Sequence, residues 1–318
     1  MTEELKKRPL ISIVISNFNG RRSLRECLSS LMNLTYPNCE VIVVDAGSTD
    51  GSPELIEQEF QTVNLVKERK IGIGEAINIG IRKSRGDLLV IDFNSDEIAS
   101  REWLSILYDA LESSSKVGAV GGVRIQYGSN NIDDAGHKIH FFGAISKIGQ
   151  GMKYENYPKE PYRVDYLSCM LIEKKLVKKI GFVDETYFIY GEDSDYSLRV
   201  QKAGFALLCV PAAFTYHMVN LSIGSQTAKQ QYFLRRAQMR LMLKHFSPAK
   251  IFASLMWLVF VIFTDALAVV PLFGVAITKT RFSYLYTTNP LEGLKASIKA
   301  ALWNFANLKS TFAARAEG

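Results

Sequence analysis

The chain reads as an α/β protein: a mostly parallel, Rossmann-like sheet with helices on its faces, followed by a helical C-terminal tail suited to a membrane. Three observations lead there. Short apolar runs rich in β-branched residues alternate with segments of helical periodicity from residue 10 onward. Acidic clusters stand at the ends of several of those runs, and both charge and hydropathy change beyond residue 224. With 318 residues, 47% of them hydrophobic and 22% charged, the composition excludes a disordered chain and allows one large domain with an appendage. The expected divisions are an N-terminal extension at 1–9, the main α/β domain at 10–224 and a basic, apolar helical region at 225–318.

Residues 10–16 and 40–45 are strand-like, and 23–32 between them has helical spacing, which makes a βαβ unit. Ser52 before Pro53 is an N-cap with proline in the first helical position. A strand at 63–67, a helix at 75–84 closed by Gly86, and a strand at 88–93 follow. A helix at 103–111 and a strand at 117–123 complete a sheet of the kind that binds ligands beyond the carboxyl ends of its strands. Residues 127–165, rich in Gly, Asn, Tyr and Lys without a clear period, read as hairpins and a long loop over the site that discriminates between substrates. Regular structure resumes with a helix at 171–180 capped by Gly181, a short strand at 187–190, a helix at 198–203 ending at Gly204, and a strand at 206–210.

The net charge of +6 belongs to the tail, where 12 Lys and Arg stand against three acids from residue 221 onward. An apolar stretch inside it directs that charge to an anionic membrane surface rather than to nucleic acid. Between Lys250 and Lys279 the one ionisable residue is Asp265, and residues 251–273 meet the ~20 residues that a spanning helix needs. Basic residues flank the stretch on both sides, so the positive-inside rule sets no orientation. A span and a half-inserted segment bent near Asp265 and Pro271 both stand. Leu291, Leu294, Ile298, Ala301, Leu302, Phe305 and Leu308 recur at helical spacing with Lys295, Lys299 and Lys309 off the stripe, as in an amphipathic helix lying in the interface. The other reading of both segments is a helical subdomain packed on the α/β domain. Cys27, Cys39, Cys169 and Cys209 lack CxxC spacing and read as free thiols of a reducing compartment. Residues 1–9 are polar and mixed in charge, so the expected location is the cytoplasmic face of the cell membrane.

The acidic clusters carry the chemistry. Asp45 ends an apolar strand and a Gly-Ser-Thr-Asp-Gly-Ser turn leads into a helix, a placement that suits a carboxylate accepting from a nucleoside; a turn with a helix cap explains it equally. Phe18 ends the first strand and offers a face for a base to stack on, or a core side chain. Asp92, Asn94, Asp96 and Glu97 leave a buried strand together, where carboxylates repel unless a cation or donors compensate. Mg²⁺ is held by one or two carboxylates plus phosphates, and Asp96 is the expected ligand. Glu192, Asp193 and Asp195 open a helix, where one acid suffices to complement the dipole and a second is left to act as general base. His217 follows the strand ending at Val210-Pro211 and is placed to ligate the metal or contact phosphates. His137 and His140 suggest a zinc pair, but no further ligands accompany them. Gly72, Gly74 and Gly80 lack dehydrogenase spacing.

Taken in order, Ile13-Val14-Ile15-Ser16-Asn17-Phe18-Asn19-Gly20, Val43-Val44-Asp45-Ala46-Gly47-Ser48-Thr49-Asp50-Gly51-Ser52, Gly72-Ile73-Gly74-Glu75-Ala76-Ile77-Asn78-Ile79-Gly80, Phe93-Asn94-Ser95-Asp96-Glu97, Gly181-Phe182-Val183-Asp184-Glu185, Tyr190-Gly191-Glu192-Asp193-Ser194-Asp195 and Val210-Pro211 with His217 are similar to the motifs of family 2 glycosyltransferases of the GT-A fold. The likeness covers residues 10–224. It implies an inverting transfer of one hexosyl or deoxyhexosyl unit from a nucleotide diphosphate sugar to an acceptor hydroxyl, on a glycan or polyprenyl-linked precursor. By position, Phe18 and Asp45 contact the nucleoside, Asp96 binds Mg²⁺ or Mn²⁺, Asp193 is the catalytic base, and His217 lies near metal or diphosphate. Asp50, Asn94 and Glu192 join the donor-binding set. Asn94 replaces the first acid of an Asp-x-Asp pair, and the tail has Arg235-Arg236-Ala237-Gln238-Met239-Arg240 where processive synthases carry Gln-x-x-Arg-Trp, which favours single-sugar addition. The alternatives are a nucleotidyltransferase, for which the loop after the first strand is a poor fit, and a catalytically silent membrane scaffold of the same fold.

Overall fold

A strand buried on both faces must pair on both edges, and the apolar runs of the N-terminal half do so as parallel strands. In a computed structural model, which describes residues 8–140, 145–218, 227–268 and 290–317, the chain begins with β1 (Ile11–Asn17), α1 (Arg21–Met32), β2 (Cys39–Asp45), α2 (Ser52–Glu59), β3 (Asn64–Lys67), α3 (Ile73–Lys83) and β4 (Leu88–Asn94). A short β5 (Glu97–Ala99), α4 (Trp103–Glu112) and β6 (Val117–Gln126) follow. The irregular region holds β7 (Ile132–Asp134), β8 (His137–Ile139), β9 (Ile145–Lys147), a 3-10 turn at Tyr154–Asn156 and β10 (Tyr162–Arg163). β11 (Met170–Glu173), α5 (Lys174–Ile180), α6 (Glu192–Lys202) and β12 (Ala206–His217) close this part.

Ten of these strands form one sheet in the order β10-β12-β6-β11-β4-β1-β2-β3, with β5 beside β12 and β7 beside β6, while β8 and β9 pair separately. β1 runs parallel to β2 and β4, β2 to β3, and β6 to β12; β11 lies antiparallel between β4 and β6. Alternation of side chains divides the core in two. Ile11, Ile13 and Ile15 pack with Val90 and Phe93 against Leu24 and Leu28 of α1 and Trp103 and Leu107 of α4. Leu89 and Ile91 point the other way, toward Ile77 and Ile81 of α3 and Tyr196 and Val200 of α6. Each such side chain contributes about 1.5–3 kcal/mol when fully buried.

The structure corrects several expected boundaries. Residues 171–173 are strand, not helix: Met170, Leu171 and Ile172 fill a gap between β4 and β6, and a short apolar run does not reveal its period. Residues 187–190 form no strand; Tyr190 (φ 63°) and Gly191 (φ 92°) turn the chain before α6. β12 runs past Pro211 to His217, with its register on β6 interrupted between Cys209 and Phe214, where proline has no N–H to give. Gly51 (φ 84°) precedes α2, so Ser52 is inside that helix rather than its cap, and Ser84 rather than Gly86 ends α3. All four cysteines are free.

The chain divides into two compact units. The first comprises Met1–Lys138, Ser146–Phe188 and Glu192–Ser222 and contains the ten-stranded sheet. The second comprises Ile139–Ile145, Ile189–Gly191 and Ile223–Gly318. Its described helices are α7 (Ala228–His245), α8 (Pro248–Ala268), Pro290–Ala306 and Leu308–Glu317. The helix Pro290–Ala306 buries Ala296, Ser297, Ala300 and Asn304. Ser297 meets Gln231 of α7, and Asn304 donates to the Arg236 carbonyl. Leu294 and Trp303 are half-buried, but Leu291, Ile298, Leu302 and Phe305 are exposed, Phe305 by 76%. Phe252, Met256, Val259, Phe260 and Phe263 of α8 are exposed as well. Of the apolar stretch, residues 269–273 lie outside the described residues, as does Pro271 with its expected bend. Among the described residues no helix is long and apolar enough to cross a membrane.

Gly80 measures how closely α3 is set on the sheet, because a Cβ there would stand inside van der Waals contact of the buried Val14 side chain. Alanine in place of a helix-interior glycine ordinarily gains about 0.5–1 kcal/mol. Here Gly80→Ala is expected instead to destabilise by about 1–3 kcal/mol through overpacking. Urea unfolding checks this: the midpoint falls at unchanged slope, and an unchanged midpoint would show that α3 lifts off β1 without penalty.

Candidate active site

The parallel strands end level with one another. Asn17 pairs with Asp45 and Ser16 with Asn94, while His217 pairs with Glu97 on one side and Gln126 on the other. β1, β2, β4 and β12 therefore bring their last residues to one edge of the sheet. At its β2 end Asp45 is buried and accepts from Asn17 Nδ2 at 2.7 Å, the Ser48 N–H at 2.8 Å and Ser48 Oγ at 2.7 Å. The amide oxygen of Asn17 is buried beside it with no hydrogen-bond partner among the described residues. Phe18 exposes 43% of its surface, and Lys70 Nζ lies 5.3 Å from its ring centroid, so it is a surface ring and not core. Asp50 accepts from the Arg21 and Ser52 N–H groups and from Ser52 Oγ. Burial raises its pKa, but these donors outweigh that and hold it below its ordinary value, which commits the carboxylate to fastening α1 and α2.

The second cluster owes its shape to a bulge. Ile13 pairs with Val90 and Ile15 with Phe93, so β4 carries one residue more than β1, and Asp92 takes up the difference at φ 63°. An extra residue reverses which face the following side chains meet. Phe93 thereby returns to the Val90 side of the core, and Asn94 to Glu97 turn from β4 into β5. Glu97 is buried against Arg124 at 2.7 Å and accepts from Thr215 Oγ1 at 2.9 Å. Asn94 reaches Glu97 at 3.5 Å. Asp96 is nearly buried, with 9% exposed, and its carbonyl accepts from the Met218 N–H.

His217 connects this cluster to the irregular region. Its Nε2 lies 3.7 Å from Asp96 Oδ1, and its Nδ1 lies 2.9 Å from Asp133 Oδ2, whose other oxygen receives Lys147 Nζ at 2.6 Å. Burial alone lowers the imidazole pKa, but the Asp133 and Asp96 carboxylates outweigh it and raise it to about 9. Asp133 is in turn held well below the usual carboxylate range by His217 and Lys147, against the opposing effect of burial. His137 belongs elsewhere: it is buried, stacked on Tyr166 with centroids 3.9 Å apart, and burial depresses it to about 4, as expected of a neutral core ring and not half of a zinc pair.

The third cluster separates its acids by environment. Asp195 is fully buried and accepts from Arg199 Nε at 3.1 Å, while Arg199 also donates to the Ile180 and Phe182 carbonyls. It is a structural tie. Glu192 is buried, with Oε2 lacking a hydrogen-bond partner among the described residues. Burial raises it, as do Asp92 and Asp193. Asp92 is raised by burial and by Asp193. Asp193 is half-buried at the start of α6 and is pushed up to about 6 by burial, with Arg124 pulling the other way. Three carboxyl groups this close cannot all ionise, which leaves the most accessible of them poised to take a proton.

A divalent cation fits the donors at hand. Asp96 offers a carboxylate oxygen and His217, once Nε2 gives up its proton to an arriving cation, an imidazole nitrogen on a facing position, and Mg²⁺ or Mn²⁺ would complete such a set with phosphate oxygens and water. Among the described residues no group of three or more His, Cys, Asp or Glu side chains is gathered to hold an ion alone. Arg124, Asp133, Asp134 and Lys147 went unread in the sequence. A lone arginine inside the apolar run 117–125 was the available signal for Arg124; the others lie in a segment without period.

Residues 12–181 match the family model described as glycosyl transferase family 2. The chain is 25% identical over 224 residues to the dolichyl N-acetyl-alpha-D-glucosaminyl phosphate 3-beta-D-2,3-diacetamido-2,3-dideoxy-beta-D-glucuronosyltransferase of Methanococcus voltae, covering 67% of this chain and 68% of that protein. It is 25% identical over 249 residues to the N-acetylglucosaminyl-diphospho-decaprenol L-rhamnosyltransferase of Mycobacterium tuberculosis, covering 69% of this chain and 79% of the relative. A mannosyltransferase from Pyrobaculum calidifontis in complex with GDP-Man and Mn²⁺ shares the GT-A fold, with a TM-score of 0.58 at 18% identity over 94% of this chain and 89% of that one. The family match takes in the first two strand-end clusters and spans more than half of the sequence, so the chain belongs to glycosyl transferase family 2.

Proposed function

We propose that the protein transfers a single sugar, with inversion, from a nucleotide diphosphate sugar to a hydroxyl of a lipid-linked glycan precursor. Asp193 carries this reading: a half-buried carboxyl pushed up to about 6, beside Asp92 and Glu192, which burial also raises, with Arg124 pulling the other way. The nucleoside lies on the exposed Phe18 ring, with the buried Asp45 carboxylate and the Asn17 amide oxygen accepting from base or ribose. Asp96 and His217 would hold Mg²⁺ or Mn²⁺, which would supply positive charge against the leaving diphosphate. Asp193 takes the acceptor proton as that oxygen attacks the anomeric carbon. The new carbon–oxygen bond forms on the face opposite the breaking bond to the diphosphate, which inverts the configuration and releases the nucleoside diphosphate. Support for the donor and ion comes from the Pyrobaculum relative, which binds GDP-Man and Mn²⁺. The two relatives named for dolichyl phosphate and diphospho-decaprenol substrates support a lipid-linked acceptor. Assaying the purified chain with a panel of nucleotide sugars and Mn²⁺ for release of nucleoside diphosphate tests the reaction class; no release from any donor, with and without lipid-linked acceptors, would rule it out.

We place the enzyme at the cytoplasmic face of the membrane. The outward apolar side chains of α8 and Pro290–Ala306, with exposed Lys295 and Lys299 alongside, support contact with anionic lipid. Phe and Leu contribute about 1.5–3 kcal/mol each on leaving water, so Leu302→Ser with Phe305→Ser is expected to weaken binding to anionic vesicles by at least ~100-fold. Vesicle cosedimentation reads this; undiminished binding would remove that face from contact.

Asp193→Asn is expected to reduce transfer by roughly 100 to 10,000-fold while donor binding persists. In the wild type, kcat/KM falls as pH drops below about 6, because only ionised Asp193 accepts a proton. A profile flat down to pH 5 would remove Asp193 from the role of base and Glu192 with it, since both carboxyls are raised by burial. Asp96→Ala is expected to weaken Mn²⁺ and nucleoside diphosphate binding together, since each is a ligand environment for the other. Full activity in EDTA would contradict the metal assignment.

A further inference from the structure

Asp133 and Lys147 come from the irregular region that the motifs leave out, yet they set the imidazole at the sheet edge. Their placement is backbone-determined. β7 pairs with β6 through Arg124–Asp134 and Ile125–Ile132, and β6 pairs with β12 through Tyr216–Ile125 and His217–Gln126, so the Asp133 carboxylate is brought to His217 by two adjoining ladders. Lys147 is brought to Asp133 in turn by hydrogen bonds from the Ile148 N–H to the Gly136 carbonyl and from the Ala135 N–H to the Ile148 carbonyl, both 2.9 Å. Asp133 is 3% exposed, so its contact with Nδ1 is shielded from water.

A carboxylate can only accept, so the ring nitrogen facing it must carry a proton. With Nδ1–H pointed at Asp133, the ring is locked in rotation and Nε2 is turned toward Asp96 Oδ1, 3.7 Å away, beyond hydrogen-bond range. Arg124 and Glu97 are the other charged groups that act on the ring. We propose that Asp133, braced by Lys147, is a positioning residue that holds the His217 proton on Nδ1 and aims Nε2 beside Asp96 as the second protein ligand of the divalent cation. The inference rests on the reading of Asp96 and His217 as the metal pair. It adds that the irregular region between β6 and α5 helps assemble the metal site.

The test uses the full chain. Mn²⁺ is titrated with UDP or GDP present and free Mn²⁺ is read by electron paramagnetic resonance. Asp133→Ala is expected to weaken Mn²⁺ binding about 10–100-fold. Asp133→Asn, whose amide oxygen still accepts from Nδ1–H, is expected to restore it to within roughly threefold of wild type. Because Asp133→Ala can fail to fold, the wild type gives an independent reading: with ¹⁵N-labelled histidine, four residues in all, and Mg²⁺ with nucleotide, His217 must show a protonated Nδ1 and a bare, ligating Nε2. A bare Nδ1 in the wild type, or a folded Asp133→Ala with unchanged Mn²⁺ affinity, overturns the proposal. Asp96→Ala separates the two levels. If it weakens Mn²⁺ binding and Asp133→Ala does not, the positioning role alone fails; if it too leaves affinity unchanged, the metal assignment and the positioning role fall together.

Discussion

Carboxylates converge at the open edge of this sheet from β4, β5, β7 and α6, and the guanidinium of Arg124 stands among them. It lies 2.7 Å from Glu97 and 3.9 Å from Asp134, and its field reaches Asp92, Asp193 and His217. Buried like charges without such a partner would neutralise by protonation or unfold the site, and losing one member of a buried pair typically costs about 3–5 kcal/mol. Glu97 and Asp133 are thus each balanced against a fixed cation, Arg124 for the one and Lys147 for the other. That balance lets the edge stay folded and still leaves Asp193 able to exchange a proton.

The bulge at Asp92 is the backbone counterpart of that balance. Continuing β4 in regular register would send Phe93 away from Trp103, on which it packs edge-on at 5.2 Å. The left-handed conformation at Asp92 is unfavourable for a non-glycine residue and persists where surrounding structure over-determines it. Here Phe93 anchors one side of the bulge and the β1 ladder the other. Strain at the strand end thus places a third carboxyl beside the Glu192-Asp193 pair.

In the C-terminal unit the usual division of a helix is reversed. Pro290–Ala306 packs through alanines, Ser297 and Asn304, and points leucine, isoleucine and phenylalanine away. Close packing through small residues with polar contacts is what helices adopt where the surroundings are themselves apolar. The lipid contact proposed for this helix rests on that exposed apolar face with the exposed Lys295 and Lys299 beside it.

The sequence by itself determined the alternation of strands and helices from residue 10 to residue 123, the family, the strand-end positions of Asp45 and Asp96, and the place of Asp193 in the first turn of a helix. Periods of 2 and 3.6 residues and acids after apolar runs are local signals, readable within a dozen residues. It also showed the apolar stripe at 291–308, since that pattern repeats along one helix. Tertiary structure decided what depends on partners distant in the chain: that residues 170–173 are a strand filling the gap between β4 and β6, that Asp50 and Asp195 are ties, that Arg124 pairs with Glu97, and that Asp133, held by Lys147, meets His217. Asp133 and His217 are 84 residues apart and meet at 2.9 Å. No local period records such a contact, because it exists only after β6 has been paired on both sides.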